Sequence, residues 1–281
     1  MRPEAEGRLG PLGAGLARLR GDLGLPPDAS IVVPVNAQSD LGTVLVVLGD
    51  LARYRGRHTF EVVLVINNYP EGDPPEESRT YAAAGLHVVA IPNVWRAGEA
   101  VCLSARVPGI RASGAERVLL FDADCRIPNP TLLLDWYVDR LGHGAKVAYT
   151  RVGYYELRPL WSVRARMVAH HLSRSVKRVV LRIPTTRGSN YAVDRTAFLR
   201  AYEQGLLADD LNVGPALKAA GGRVVYGSSP KLQVLTSGRR FRGGWRKLAR
   251  YLRYRLLYNV RLLRGPSAGR AGKSYHQKPL R

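Results

Sequence analysis

The chain has 281 residues, 46% of them hydrophobic, and a formal net charge of +21. That composition suits one large or two small globular domains with a real core, and two cysteines, Cys102 and Cys125, exclude a disulfide framework. No apolar run approaches the roughly 20 residues of a membrane span, and Met1 to Leu25 scatters charges among Gly, Leu and Pro where a signal peptide has an apolar core.

These features predict a cytoplasmic protein, with peripheral contact at the inner face of the membrane as an added expectation. Both cysteines read as small buried hydrophobes in a reducing compartment, Cys125 next to any site formed by the acids before it. The charge attracts nucleic acid, anionic lipid or a diphosphate-bearing small molecule, and by itself does not choose among them.

Taken in order, Ser30 to Val35 is an apolar run closed by Asn36, followed by a helix with Leu41, Val44, Leu45, Leu48 and Leu51 on one face. Phe60 to Ile66 predicts a second strand, ending at Asn67-Asn68 and a Pro/Gly/Asp/Glu-rich loop. A short helix around Glu76 to Ala84 leads to a third strand, Leu86 to Ile91, whose exit loop holds Trp95, Arg96 and Gly98. A helix through Leu103 and Ala105 then leads to Val118 to Phe121, a buried strand that ends in Asp122 and Asp124. Four strands alternating with helices imply a parallel, doubly wound half. Each strand delivers a polar group to one edge: Asn36, Asn67, Arg96 through its loop, and Asp122.

In an open α/β sheet that edge is where ligands bind. Successive residues of an extended chain point to opposite sides, so Asp122 and Asp124 project the same way. Paired hard oxygen donors suit Mg²⁺ or Mn²⁺, which take one or two carboxylates and fill the remaining positions with phosphate and water. The competing reading of such acids is a strand end followed by a helix cap, since acids are common in such loops.

Past the acids, Pro128-Asn129-Pro130 starts a helix, Thr131 to Leu141, and Lys146 to Val152 predicts a strand. Leu160 to Arg182 is an amphipathic helix with Trp161, Met167, Val168, Leu172, Val176 and Val179 on or near one face. Thr185 to Val193 contains Gly188-Ser189-Asn190. A helix from Arg195 to Tyr202 follows, then Ala208-Asp209-Asp210-Leu211 opening a helix that Gly221-Gly222 stops. Strands at Arg223 to Tyr226 and Lys231 to Leu235 finish the globular part. Trp245, Leu248, Leu252, Leu256, Val260 and Leu263 form the apolar stripe of a basic C-terminal helix, and residues 265 to 281 read as a mobile tail.

The ordered set of Pro34-Val35-Asn36, Asn67-Asn68, the Arg96 and Gly98 loop, Asp122-Ala123-Asp124, Gly188-Ser189-Asn190 and Asp209-Asp210 resembles the family-2 glycosyltransferases of GT-A fold. The resemblance covers Ser30 to Leu235. It implies an N-terminal arm (1–27), one GT-A catalytic domain (28–236) with a nucleotide-binding half (28–126) and an acceptor half (127–236), and a basic helix and tail (237–281).

It further implies an inverting transfer of a sugar from a nucleoside-diphosphate donor to an acceptor nucleophile. Pro34, Val35 and Asn36 would lie against the nucleotide and Asn67 would read the base. Asp122 would bind the ribose, with Asp124 as metal ligand and Asp122 beside it. Asp210, following Asp209, matches the catalytic base, and Gly188, Ser189 and Asn190, with Tyr155 and Trp161, would shape the donor-sugar and acceptor pocket. The implied cofactors are Mg²⁺ or Mn²⁺ with a nucleotide sugar as donor; the basic C-terminal helix for its part suits a phosphorylated, lipid-linked or otherwise anionic acceptor, and suits an interaction surface as well.

Two departures stand out. Asn67-Asn68 replaces an acidic pair, and an amide both donates and accepts where a carboxylate only accepts. No histidine lies near Val234 to Arg240; Arg239 or Arg240 there is the candidate diphosphate clamp. His170 and His171 diverge by about 100° on a helix and do not readily chelate one ion. Two other readings stand beside the transferase: a nucleotidyltransferase on a similar sheet, disfavoured by the lack of a Gly-rich, Lys-bearing phosphate loop, and a non-catalytic binder of nucleotide sugar or nucleic acid. No spacing typical of specific nucleic-acid recognition occurs.

Overall fold

The computed structural model describes residues 4–21, 25–70, 72–92, 101–156 and 161–237, together with positions 249, 253 and 257. Its frame is a seven-stranded mixed sheet. The first half supplies β1 (Ala29–Asn36), β2 (Phe60–Asn67), β3 (His87–Ile91) and β4 (Arg117–Leu120), all parallel, in the spatial order β3-β2-β1-β4. These runs are rich in Val, Ile and Leu because a central parallel strand is covered on both faces.

Their alternate residues divide between two cores. Ile31, Val33, Val35, Leu64 and Ile66 belong to one, and Val32, Val63, Val65, Val118 and Leu120 to the other. The first core is closed by α1 (Glu4–Arg20), α2 (Val44–Leu51) and α5 (Pro130–Gly142); the second by α4 (Val101–Ala112), α7 (Arg195–Glu203) and α8 (Val213–Ala219). The remaining helices are α3 (Glu76–Ala83) and α6 (Trp161–Val179).

The second half extends the sheet with β5 (Ala145–Thr150), β7 (Tyr191–Asp194) and β8 (Arg223–Gly227). β7 is inserted antiparallel between β4 and β5, pairing Leu120 with Tyr191 and Tyr149 with Tyr191. An antiparallel strand enters the sheet at the edge where its parallel neighbours leave it. The residues before β7, Gly188 to Asn190, are thereby carried to the carboxyl edge of β4, beside Asp122. A small parallel sheet of β6 (Val152–Tyr155) and β9 (Val234–Ser237) stands next to it, tied to the acid loop by reciprocal backbone bonds between Arg126 and Leu235 of 2.8 and 2.9 Å.

Several elements differ from the sequence expectation. The N-terminal stretch contains a helix, α1, although Gly and Pro lower its propensity; burial of Leu16 and Leu19 against the first core overrides that preference. The helix after β1 starts only at Val44, because Asn36 organises a turn first: its side chain accepts the Gln38 N–H (2.9 Å) and its carbonyl the Asp40 N–H (2.8 Å). The strand expected over Lys146 to Val152 is two strands, β5 and β6. β7 itself, four residues of which Tyr191 to Val193 are core, is too short for alternation to reveal. The chain from Pro230 to Leu232 is a 3-10 turn, and β9 begins at Val234. The C-terminal basic helix lies outside the described residues save for positions 249, 253 and 257, which are helical.

Because Leu19 is buried in the first core, Leu19→Ala is expected to cost about 3 kcal/mol. Urea denaturation read by circular dichroism checks this; an unchanged midpoint would mean that α1 adds nothing to the core.

Candidate functional site

Asp122 and Asp124 do not continue β4. The strand ends at Leu120, and the Cys125 N–H bonds back to the Asp122 carbonyl at 3.1 Å, so the acids sit in a turn. The alternation argument for their common direction therefore does not apply, and hydrogen bonds tie them to different elements. Asp122 turns to α4, where its Oδ1 accepts a short hydrogen bond from Arg106. Asp124 turns to the small sheet: its Oδ1 accepts from Thr236 Oγ1 (3.2 Å) and its carbonyl from the Tyr155 hydroxyl (2.7 Å).

Arg106 is the residue that the motif search missed. It is 2% exposed in the middle of α4. Its Nη2 also donates to the Gly188 carbonyl (2.8 Å), and its Nη1 to Asp210 Oδ2 (2.7 Å). One guanidinium thus joins the β4 edge, the Gly188 segment and the acid before α8. Burial opposes its charge, but Asp210 and then Asp122 outweigh burial and leave it more firmly protonated than an ordinary arginine. The signal for it was a cation inside the apolar first two turns of a helix, five residues ahead of the terminal Arg111.

Asp210 is held from three sides. Besides Arg106, the Tyr191 hydroxyl donates to its Oδ1 at 3.0 Å, and Thr186 Oγ1 donates to its backbone carbonyl. Its side chain is 10% exposed, against 41% for Asp122. Burial, with Asp210 next in effect, pushes the Tyr191 phenol well above its ordinary range, so it stays a donor. Gly188 makes the approach possible: a Cβ there would lie 2.6 Å from Asp210 Oδ2 and 2.8 Å from Arg106 Nη2.

The expectation that Asp209 and Asp210 open a helix is corrected. Asp209 Oδ1 accepts the N–H groups of Leu211 (2.8 Å) and Asn212 (3.2 Å), building a side-chain turn, and α8 begins only at Val213. Asp209 is 3% exposed, and these bonds give its carboxylate a structural task.

The other expected residues divide in a similar way. Val35 is fully buried, Pro34 and Asn36 are half-buried at the edge, and Asn36 Oδ1 accepts from Asn68 Nδ2 at 3.2 Å. Asn67 is buried, with its amide donating to the Val65 carbonyl (3.1 Å). Asn190 is spent inside the core: Tyr137 donates to its Oδ1, and its Nδ2 donates to Thr150 Oγ1. Ser189 is buried and its carbonyl accepts from Cys125 Sγ at 3.2 Å, which puts Cys125 between the acid turn and the Gly188 segment. Tyr155 stays at Asp124, with Arg126 over its ring at 5.6 Å, whereas Trp161 is 82% exposed at the start of α6. Arg96, Arg239 and Arg240 lie outside the described residues, as do Trp95 and Gly98.

Asp122 and Asp124 offer hard oxygen donors that fit a divalent cation completed by phosphate and water. No cluster of three or more His, Cys, Asp or Glu occurs among the described residues.

A second charged group borders this edge. The Tyr154 ring lies 6.1 Å from His171, and Arg187 Nη1 donates to the Tyr154 hydroxyl at 2.9 Å. Burial first, then Arg174, Arg187 and Arg151, lower the His171 imidazole from 6.5 to about 4. The unfolded chain takes up this proton before the folded one. Stability from this group is therefore intact above 6.5 and falls as the pH drops from there toward about 4.

Two outcomes follow from these contacts. Arg106→Met leaves the buried Asp210 carboxylate without its cation and is expected to cost about 3 kcal/mol at neutral pH. The double variant Arg106→Met/Asp210→Asn should recover part of that loss, and a denaturation cycle with strictly additive effects would deny the pairing. Replacing His171 by Gln should remove part of the acid-induced loss of stability between pH 6.5 and 4, read from urea midpoints across that range.

No family model matches the chain, and no curated protein matches it significantly. Solved structures do match. The mannosyltransferase PcManGT from Pyrobaculum calidifontis, in complex with GDP-Man and Mn²⁺, aligns with a TM-score of 0.52 at 18% identity, over 84% of this chain and 66% of that one. TarS from S. aureus aligns with a TM-score of 0.50 at 16% identity, over 74% of this chain and 36% of that one. The chain thus spans just under two thirds of the first protein and little more than a third of the second. At such identities a likeness establishes architecture, and with the sheet order and the edge acids described above it shows that this chain has the GT-A fold.

Proposed function

We propose that the chain is an inverting glycosyltransferase, moving a sugar from a nucleoside-diphosphate donor to an acceptor hydroxyl or amine. The observation that carries this reading is the Asp122–Arg106–Asp210 bridge, in which one buried guanidinium brings the acids of the β4 edge and of the turn before α8 to a single place. Support also comes from the mannosyltransferase of the same fold, solved with GDP-Man and Mn²⁺.

Glycosyl transfer passes through an oxocarbenium-like state, so negative charge must be stabilised on the departing diphosphate. Asp124 and Asp122 are the proposed holders of Mg²⁺ or Mn²⁺, which when bound supplies Lewis-acid charge to that leaving group. Pro34, Val35, Asn36 and Asn67 form the nucleotide side. Arg96, Arg239 and Arg240 are proposed to reach the diphosphate as bidentate donors.

Asp210 is the proposed general base. Each of its oxygens has a second acceptor direction beyond the bonds to Arg106 and Tyr191, so it can take the proton of an incoming nucleophile while Arg106 keeps it ionised and aimed. Asp209 holds the turn that presents it. Gly188 and Ser189, with Tyr155, line the proposed donor-sugar and acceptor side; Asn190 supports them from the core. Attack opposite the diphosphate by one base gives inversion at the anomeric carbon.

Asp210→Asn should lower turnover by roughly a hundredfold or more while nucleoside-diphosphate binding, read by thermal shift, persists. Asp124→Asn should abolish the Mn²⁺-dependent part of that shift. The released product should be nucleoside diphosphate, with an inverted anomer visible by NMR. Pyrophosphate as product would replace this reading with nucleotidyl transfer, and full activity of Asp210→Asn would move the base elsewhere.

A further inference from the structure

Helix α6 is built unlike the other helices of the fold. Trp161 is 82% exposed, and Val168, Leu172, Val176 and Val179 are exposed as well, at spacings of seven, four, four and three residues. Those intervals set them in one stripe along the helix. Val163 and His171, four-residue multiples apart, turn toward the body, roughly a third of a turn away. Val180 and Leu181 continue the exposed apolar surface past the helix end.

The sequence of α6 has five cations, Arg164, Arg166, Arg174, Lys177 and Arg178, and no Asp or Glu over 19 residues. Arg178 lies over the Tyr226 ring at 3.8 Å, and Arg164 is exposed. A long helix with an apolar stripe, basic flanks, a terminal tryptophan and no acid has the character of an interfacial helix.

From this geometry we propose that α6 docks the protein on an anionic bilayer, with Trp161, Val168, Leu172, Val176 and Val179 at the acyl boundary and the exposed Arg164 among the headgroups. Charge selects this occupant. Residues 239–264 carry an apolar stripe of their own, but also Arg246, Lys247, Arg250, Arg253 and Arg261, so laying them on α6 would bring like charges together. The same objection holds for α6 of a second copy. An anionic lipid surface satisfies both the apolar stripe and the cations, and the net charge of +21 draws the protein to it from a distance. Docking does not depend on the transfer reaction, since it requires no turnover. Through the contacts of Tyr154 with His171 and Arg187, it would set the Gly188 side of the candidate site close to the lipid.

Co-sedimentation of the full chain with vesicles tests this directly, using phosphatidylcholine alone and phosphatidylcholine mixed with phosphatidylglycerol. The intact protein should pellet with the mixed vesicles and not with the neutral ones. Leu172→Asp/Val176→Asp should weaken that binding by roughly tenfold or more, with an unchanged thermal midpoint because both positions are exposed. Binding of the variant equal to that of the intact chain would place any lipid contact on another segment and overturn the proposal. So would failure of the intact chain to bind anionic vesicles. Conversion of a solution dimer to a monomer by the same double substitution would also overturn it, identifying the stripe as a contact between copies.

Discussion

The site rests on one buried guanidinium. Taking Arg106 out of water is expensive, and the cost is met only because two carboxylates and a carbonyl converge on it. The three partners come from parts of the chain far apart in sequence: Asp122 from the turn after β4, Gly188 from the approach to β7, and Asp210 from the turn before α8. None of these turns is positioned accurately by local propensity. A mutual dependence results, in which the arginine stays buried only if the turns close around it, and the turns keep their places only if the arginine is there. Gly188 belongs to the same constraint, since any side chain would enter the space between Arg106 and Asp210.

A second geometric fact gives those partners a common location. Three parallel pairings build the first half of the sheet, and a fully parallel continuation would have sent the approach to β7 to the opposite edge. Inserting β7 antiparallel delivers Gly188 and Ser189 at the carboxyl ends of β4 and β5. Tyr191, the first residue of that strand, then reaches Asp210 with its hydroxyl. Sheet direction and site chemistry are two aspects of one choice. The small β6–β9 sheet works similarly on the other flank, where Thr236 and Tyr155 both meet Asp124.

The sequence showed the parallel half well, because Ala29–Asn36 and Phe60–Asn67 are long apolar runs whose alternate residues feed two cores. Elements held by tertiary contacts were far less legible. α1 has poor helix formers and depends on Leu16 and Leu19; β7 is four residues long; and the start of α8 was misplaced because Asp209 bonds backbone N–H groups and delays the helix. In the candidate site, acids at strand ends and turns advertise themselves, whereas Arg106 sits inside a helix where its neighbours suggest only packing. Asn190 shows the reverse error: a polar residue in a site-like motif whose amide is consumed by Tyr137 and Thr150. Whether a polar side chain faces a ligand or the core depends on partners distant in sequence.

The charge distribution at the edge bears on which ligands it suits. In a chain with 43 Lys and Arg against 22 Asp and Glu, the overall field favours anions. Yet at this edge two carboxylates, Asp122 and Asp210, share the charge of Arg106, and Asp124 stands two residues beyond Asp122 in the same turn. Among these four side chains the net sign is inverted, three acids against one guanidinium, and a diphosphate drawn by the general field would meet those acids at close range, where Coulomb repulsion is least screened. On the proposed reading this inversion is functional, because acids that repel a bare diphosphate admit one that arrives with a divalent cation. The same acids cannot all be neutralised by Arg106, whose two terminal nitrogens are divided between Asp122 and Asp210. Asp124, whose carboxylate accepts from Thr236 of the small sheet, is on the proposed reading the acid that a bound divalent cation would meet.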